Sequence, residues 1–343
     1  MYTVNLNNLA YNYVTVNGTY TDSDPEADTL SLTNAMANST VAFGALSTAG
    51  SVYTVALADA SGSADVINYV LASTNETNVV NGVDVADTTL GTANNAGTIT
   101  TNAVETFNIT STAVDADGAQ NVITANGDTV TTINVSGNAG VTLTSTATTL
   151  KTVDASALTA GTLTFTANNA SMTVKGGAGN DTITIAATAD GSKFYGNAGN
   201  DTFTIKGGAD LITIDGGAGA DTFDFNGVST NKSNFVVLNN VDSGDTLDLN
   251  GVYDMTAFNS TKITLSVGAT ESTQAYLDQA MTTLTAGQVG WFQYNGNTYV
   301  TADVGTDSTN SFADGTDFVV MITGLKDLSA ASFNTDSDTL VIA

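Results

Sequence analysis

The sequence contains no cysteine and no histidine, all 7 of its basic residues are lysine, and proline occurs once, at Pro25. Without cysteine there is no disulfide framework. Without histidine the usual zinc and haem sites are excluded, as are Ser–His and Cys–His nucleophile pairs. The lack of cysteine does not by itself assign a compartment. Without arginine or histidine, an acidic substrate has few partners, and proton transfer falls to Asp, Glu, Lys or Tyr. Neither HExxH nor GxSxG occurs, so the chain reads as a non-enzyme. No apolar run reaches transmembrane length. The amino terminus, "MYTVNLNNLAYNYV", has neither the basic start nor the apolar core of a secretory leader, so export needs another route.

What remains is acidic and β-forming. The chain of 343 residues holds 34 Asp and Glu against 7 Lys, a net charge of −27, and Glu supplies 4 of the acids. That charge disfavours nucleic acid and anionic membranes as partners. Short aspartates beside abundant Asn, Thr and Gly offer many oxygen ligands to cations. The single proline and the 42% hydrophobic content argue against disorder. The length suits one elongated domain or two to three compact ones.

Short threonine-rich strands recur about every ten residues through the middle of the chain: "NVITA" at 121, "TINVS" at 132, "VTLTS" at 141, "TLTFT" at 162, "TITIA" at 182, "TFTIK" at 202 and "TFDFN" at 222. Side chains alternate along a strand. Leu163 and Phe165, Ile183 and Ile185, Phe203 and Ile205, and Phe223 and Phe225 therefore point inward, with threonines between them pointing out. Met172, Val174, Phe194, Ile212 and Ile214 join the same interior. Two strands and two turns make one coil of about 20 residues, and stacked coils bury a thin continuous core. An all-β parallel β-solenoid, or β-roll, is the expectation for residues 116–250. An antiparallel sandwich of short strands is the alternative.

A step of Asp, then Thr or Val, then two apolar residues separated by one extends further, from "DTLSL" at 28 and "DVINY" at 65 to "DTLDL" at 245 and "DTLVI" at 338. Residues 1–115 share this vocabulary at less regular spacing and read as β-rich, an irregular start of the same solenoid. Residues 251–343 read as a small mixed cap. Within it, "ESTQAYLDQAMTTL" has helical spacing, with Thr270 as cap and Glu271 in the first turn. "VGWFQYNGNTYV" is a hairpin turning at Asn295–Gly296, and "TDFVVMITGL" is a buried strand. Such a cap shields the open edge of the last coil.

Three glycine loops stand at 20-residue intervals: "KGGAGNDTI" at 175, "YGNAGNDTF" at 195 and "DGGAGADTF" at 215. One coil apart, they stack on one edge. Gly177, Gly179, Gly199, Gly217 and Gly219, with Asn197 in a glycine's place, permit tight turns of positive φ. Asp181, Asp201 and Asp221 form a column whose like charges call for a cation. With oxygen ligands and neither nitrogen nor sulfur, that cation is Ca²⁺. Two positions are expected, between the loops at 176 and 196 and between those at 196 and 216. Asp245 extends the column after a longer coil, and Asp190 with Asp210 offers a poorer site on the other edge.

These loops resemble the RTX nonapeptide, G-G-x-G-x-D-x-U-x, with Asn197 departing from its second glycine. The tail segments "WFQYNGNTYVTAD" and "GTDFVVMITGLKDL" resemble those of RTX surface proteins. "AVETFNITS" and "LKTVDASALTAGTLTFTA" are similar to repeats of type I-secreted surface-layer proteins. The resemblance covers roughly residues 100–343. It implies a calcium-loaded β-roll exported from a Gram-negative cell by the type I secretion machinery through an uncleaved carboxyl-terminal signal. It further implies an extracellular lattice of copies of the same chain, with cell-surface polysaccharide as a second partner through a region the sequence does not identify. The alternative is an RTX adhesin that binds glycan, a surface or ice through the outward threonines.

Overall fold

The computed structural model describes residues 2–5, 13–16, 29–43, 52–57, 61–72, 78–80, 83–85, 95–112, 120–206, 211–225, 235–266, 272–304 and 311–343. The chain forms two compact units, Met1–Thr166 with Thr173–Asp181, and Ala167–Met172 with Thr182–Ala343. Each consists of stacked parallel coils, so the fold is the all-β solenoid that the spacing predicts.

In the first unit, one sheet takes the strands Thr29–Ala35, Val52–Leu57, Asn95–Asn102, Gln120–Gly127 and Gly140–Thr144 in order, each parallel to the next. The other takes Thr40–Phe43, Val66–Ala72, Thr106–Thr112, Thr132–Gly137, Thr152–Leu158 and Thr173–Lys175. Ile67, Phe107, Ile133, Val153 and Val174 lie at matched positions on successive strands and are all fully buried. One residue on, outside the core, Asn134 donates to Asn108 and Asn108 to Asn68, each at 2.9 Å. This amide ladder satisfies polar groups along the stack. The spacing before residue 115 is irregular because a coil can carry insertions. Val66 pairs with Thr106, and the antiparallel strands Asn78–Val80 and Val83–Val85 lie between them in the sequence.

In the second unit, Thr182–Ile185, Thr202–Ile205, Thr222–Asp224 and Thr246–Asp248 run parallel, and so do Lys193–Tyr195, Thr213–Asp215 and Val236–Asn239. Ile183, Phe203, Phe223 and Leu247 stack in register without solvent exposure, and the rings of Phe203 and Phe223 lie 5.9 Å apart and nearly parallel. All thirteen residues expected inside are buried.

The cap is woven into this stack. Strand Phe318–Ile322 pairs parallel with Val236–Asn239 and antiparallel with Asn297–Ala302, continuing one sheet. The last strand, Thr339–Val341, lies antiparallel against Thr246–Asp248 and continues the other. The helix is Thr273–Met281, capped by Ser272; Thr270 and Glu271 lie outside the described residues. Its Tyr276, Leu277, Ala280 and Met281 pack in one cluster with Phe292, Tyr299 and Val319. The hairpin turns at Asn295 and Gly296, both at positive φ as a type I′ turn requires.

Candidate metal centre

The loops 195–203 and 215–223 lie one coil apart in the second unit, bridged where Ala198 pairs with Ala218. Asn197 accepts from the Ala218 N–H and Ala218 accepts from the Gly199 N–H, both at 2.9 Å. Asn197, Gly199, Gly217 and Gly219 have φ of +73, +120, +98 and +139. Asparagine tolerates the first of these values, which explains its standing in for glycine there. A Cβ at Gly217 would overlap the Asn197 carbonyl, and one at Gly219 the Gly199 carbonyl, so those two positions demand glycine.

Of the expected column Asp181–Asp201–Asp221 and its extension Asp245, the last three lie in this unit, each only 1% exposed. They are linked through the backbone. The Asp201 N–H donates to Asp221 Oδ1 at 2.9 Å, and the Asp221 N–H donates to Asp245 Oδ1 at 2.8 Å. The Asp221 and Asp245 carboxylates thus each meet an amide dipole from the preceding coil, a compensation that the sequence reading did not foresee. It is incomplete at Asp221, whose Oδ2 is buried with no hydrogen-bond partner and lies over the Cα of Gly216. Burial pushes Asp221 up to about 6, against the Asp201 amide and with help from the charges of Asp245 and Asp215. Asp245 is also raised by burial, but both of its oxygens are engaged, Oδ2 by the Asp242 N–H at 2.8 Å. Lys326 Nζ pairs with the exposed Asp242 at 2.8 Å, and its charge partly offsets the rise at Asp245.

Neither a protein-family model nor a curated protein matches the chain. The site is therefore read from its own geometry. Oxygen donors are abundant, and the bare Asp221 Oδ2 suits a hard cation. Among the described residues no three acidic side chains already converge on one ion. Loop carbonyls would have to complete any coordination shell in this column.

In the first unit, the loop 175–181 is built differently. Gly177 and Gly179 are not at positive φ, contrary to expectation. Glycine is needed there for close approach instead. A Cβ at Gly177 would lie 2.8 Å from the Leu158 carbonyl oxygen, and one at Gly179 would overlap the Gly161 carbonyl. Asp181 is buried and accepts the Leu163 and Gly177 N–H groups, each at 2.6 Å. Burial outweighs both bonds and pushes it up to about 6.

On the other edge, Asp190 is exposed and Asp210 lies outside the described residues. The turn there is held by Ser192, fully buried, whose hydroxyl accepts the Met172 N–H at 2.9 Å. Sequence reasoning passed over Ser192 because a single serine at a turn has no repeat to mark it. It also passed over Asp317, which gathers the Val304 and Ala313 N–H groups at 3.0 and 2.8 Å. No described helix is long and apolar enough to cross a membrane.

Proposed function

We propose that this chain is a structural component of a calcium-dependent surface layer, assembled outside a Gram-negative cell after type I secretion. The observation that carries the reading is the buried column Asp201–Asp221–Asp245, held in line by one amide per coil and left with an uncompensated oxygen at Asp221. Calcium would be held by Asp201 and Asp221 together with carbonyls of the loops at 197–199 and 217–219, and it would supply the positive charge that those carboxylates lack. The coils then lock only where calcium is plentiful. A site at tenfold its dissociation constant adds about 1.4 kcal/mol, and extracellular modules bind calcium at about 10⁻⁴–10⁻³ M. Other copies of the chain are the lattice partner, with cell-surface polysaccharide as the anchor, and the reading assigns no catalysis.

The test is a calcium titration of chelated protein followed by melting temperature and circular dichroism, then electron microscopy. The reading expects a higher melting temperature and sheets in calcium. An unchanged melting temperature defeats the calcium part, and monomers alone in calcium defeat the lattice part.

One observation favours a second reading, an adhesin. Thr182, Thr202, Thr222 and Thr246 lie in register on the outer face of one sheet. Binding on a glycan array, or inhibition of ice recrystallisation, by protein that forms no sheets would select it.

A further inference from the structure

The segment that leaves strand Ala257–Phe258 stays beside strand Gln288–Tyr294. The Asn259 N–H donates to the Val289 carbonyl at 2.8 Å, and the Ile263 N–H to the Trp291 carbonyl at 3.0 Å. Between these ties, residues 260–262 line an open cleft of about 510 Å³, together with Trp291, Gln293, Asp327 and Ser329. The turn that bears Asp327 and Ser329 is fixed on either side of Asp327. The Lys326 N–H donates to the buried Thr298 hydroxyl at 2.8 Å, its carbonyl accepts from Gln293 Nε2 at 2.9 Å, and Leu328 is buried. The cleft is thus held by backbone ties, and its volume is that of a small-ligand site, about 300–1,000 Å³.

Its chemistry narrows the occupant. Lys262 Nζ donates to Gln293 Oε1 at 3.2 Å, which steadies the ammonium and leaves it further donors. Asp327 Oδ1 accepts the Ser329 N–H at 3.0 Å. That bond, with one from the Ser329 hydroxyl, holds the Asp327 carboxyl below the ordinary carboxylate range, so it is an ionised acceptor at neutral pH. An anion entering here meets Asp327 and a chain of net charge −27. A cation meets Lys262, and an apolar ligand strips water from both charges without replacing it. A sugar hydroxyl donates and accepts at once, so it satisfies the carboxylate and the ammonium together. The buried indole of Trp291 adds an apolar surface for the C–H face of a ring. We propose that this cleft binds a neutral glycan, with Lys262 donating to its hydroxyls, Asp327 accepting from them and Trp291 carrying one ring. The proposal names where the anchoring polysaccharide of the surface-layer reading is taken, and it rests on that reading for the glycan's place on the cell.

Trp291 is the only tryptophan in the chain, so its emission reports on this cleft. The test titrates the full chain, dilute and in calcium, with cellobiose, maltose and N,N′-diacetylchitobiose. At least one of them should change the emission saturably, and digalacturonic acid, an anionic counterpart, should not. Lys262→Met and Asp327→Asn alter exposed side chains and should keep the melting temperature. Each should weaken binding about tenfold, as loss of a hydrogen bond to a charged group does. Thr202→Ala should bind as the wild type does, which separates the cleft from the threonine face. No saturable change with any of the three neutral sugars, or wild-type affinity in both cleft variants, overturns the proposal. Sheets that form without sugar binding defeat the cleft and leave the lattice standing; sugar binding without sheets does the reverse.

Discussion

Asp221 has one oxygen bonded to an amide and one buried without a partner, and this asymmetry makes the fold sensitive to protons. Asp181 and Asp221 are pushed up to about 6 from an ordinary 3.8. A folded-state pKa above the unfolded one means that the folded chain binds more protons between the two values. Stability conferred by that proton is therefore complete at low pH and is lost as pH rises toward about 6. In chelator, the urea midpoint should be higher at about pH 4.5 than at about pH 7. Asp221→Asn should flatten part of that slope, and a midpoint that climbs with pH over this range contradicts the assignment. Gly219→Ala should cost about 1–3 kcal/mol in a denaturant titration, because it adds a Cβ at φ +139 against a carbonyl. Asn197→Gly should shift stability by less than about 1 kcal/mol, since the position is already left-handed. The aspartate column was legible from its 20-residue period. Ser192 was not, because a single serine at a turn has no period.

The strands are short, and their stability comes from stacking rather than length. Phe203 lies in register between Ile183 and Phe223, with its ring against that of Phe223. Phe203→Ala should lower stability by about 3–5 kcal/mol, whereas Thr202→Ala on the outer face should cost about 0.5 kcal/mol or less. Equilibrium unfolding of both variants checks the contrast, and equal losses would deny the inward and outward assignment. The strand periodicity and its inward set were readable because alternation with period two is imposed by the pleat itself. The left-handed glycines were only partly readable. The loops 175–181 and 215–223 are near-copies, yet Gly177 and Gly179 avoid positive φ while Gly217 and Gly219 adopt it. Glycine permits both conformations, and neighbouring coils choose between them.

Across the whole chain, 34 acids against 7 lysines produce self-repulsion that calcium would relieve and chelation would expose. The stack must also end, and an uncovered strand edge invites pairing with another chain. Removing residues 339–343 uncovers Thr246–Asp248 on the side now paired with Thr339–Val341. The truncated chain should scatter light strongly at concentrations where the full chain is clear, and clear solutions of it would show that this edge needs no cover. The repeat period, the inward residues and the line of acids were determined by the sequence alone, since each is a local pattern written once per coil. How the stack ends was decided by the tertiary structure. Strand Phe318–Ile322 returns to pair with Val236–Asn239, Thr339–Val341 reverses direction, and Lys326 reaches Asp242 across 84 residues. Such long-range closures depend on which surfaces meet, and no periodicity in the chain encodes that meeting.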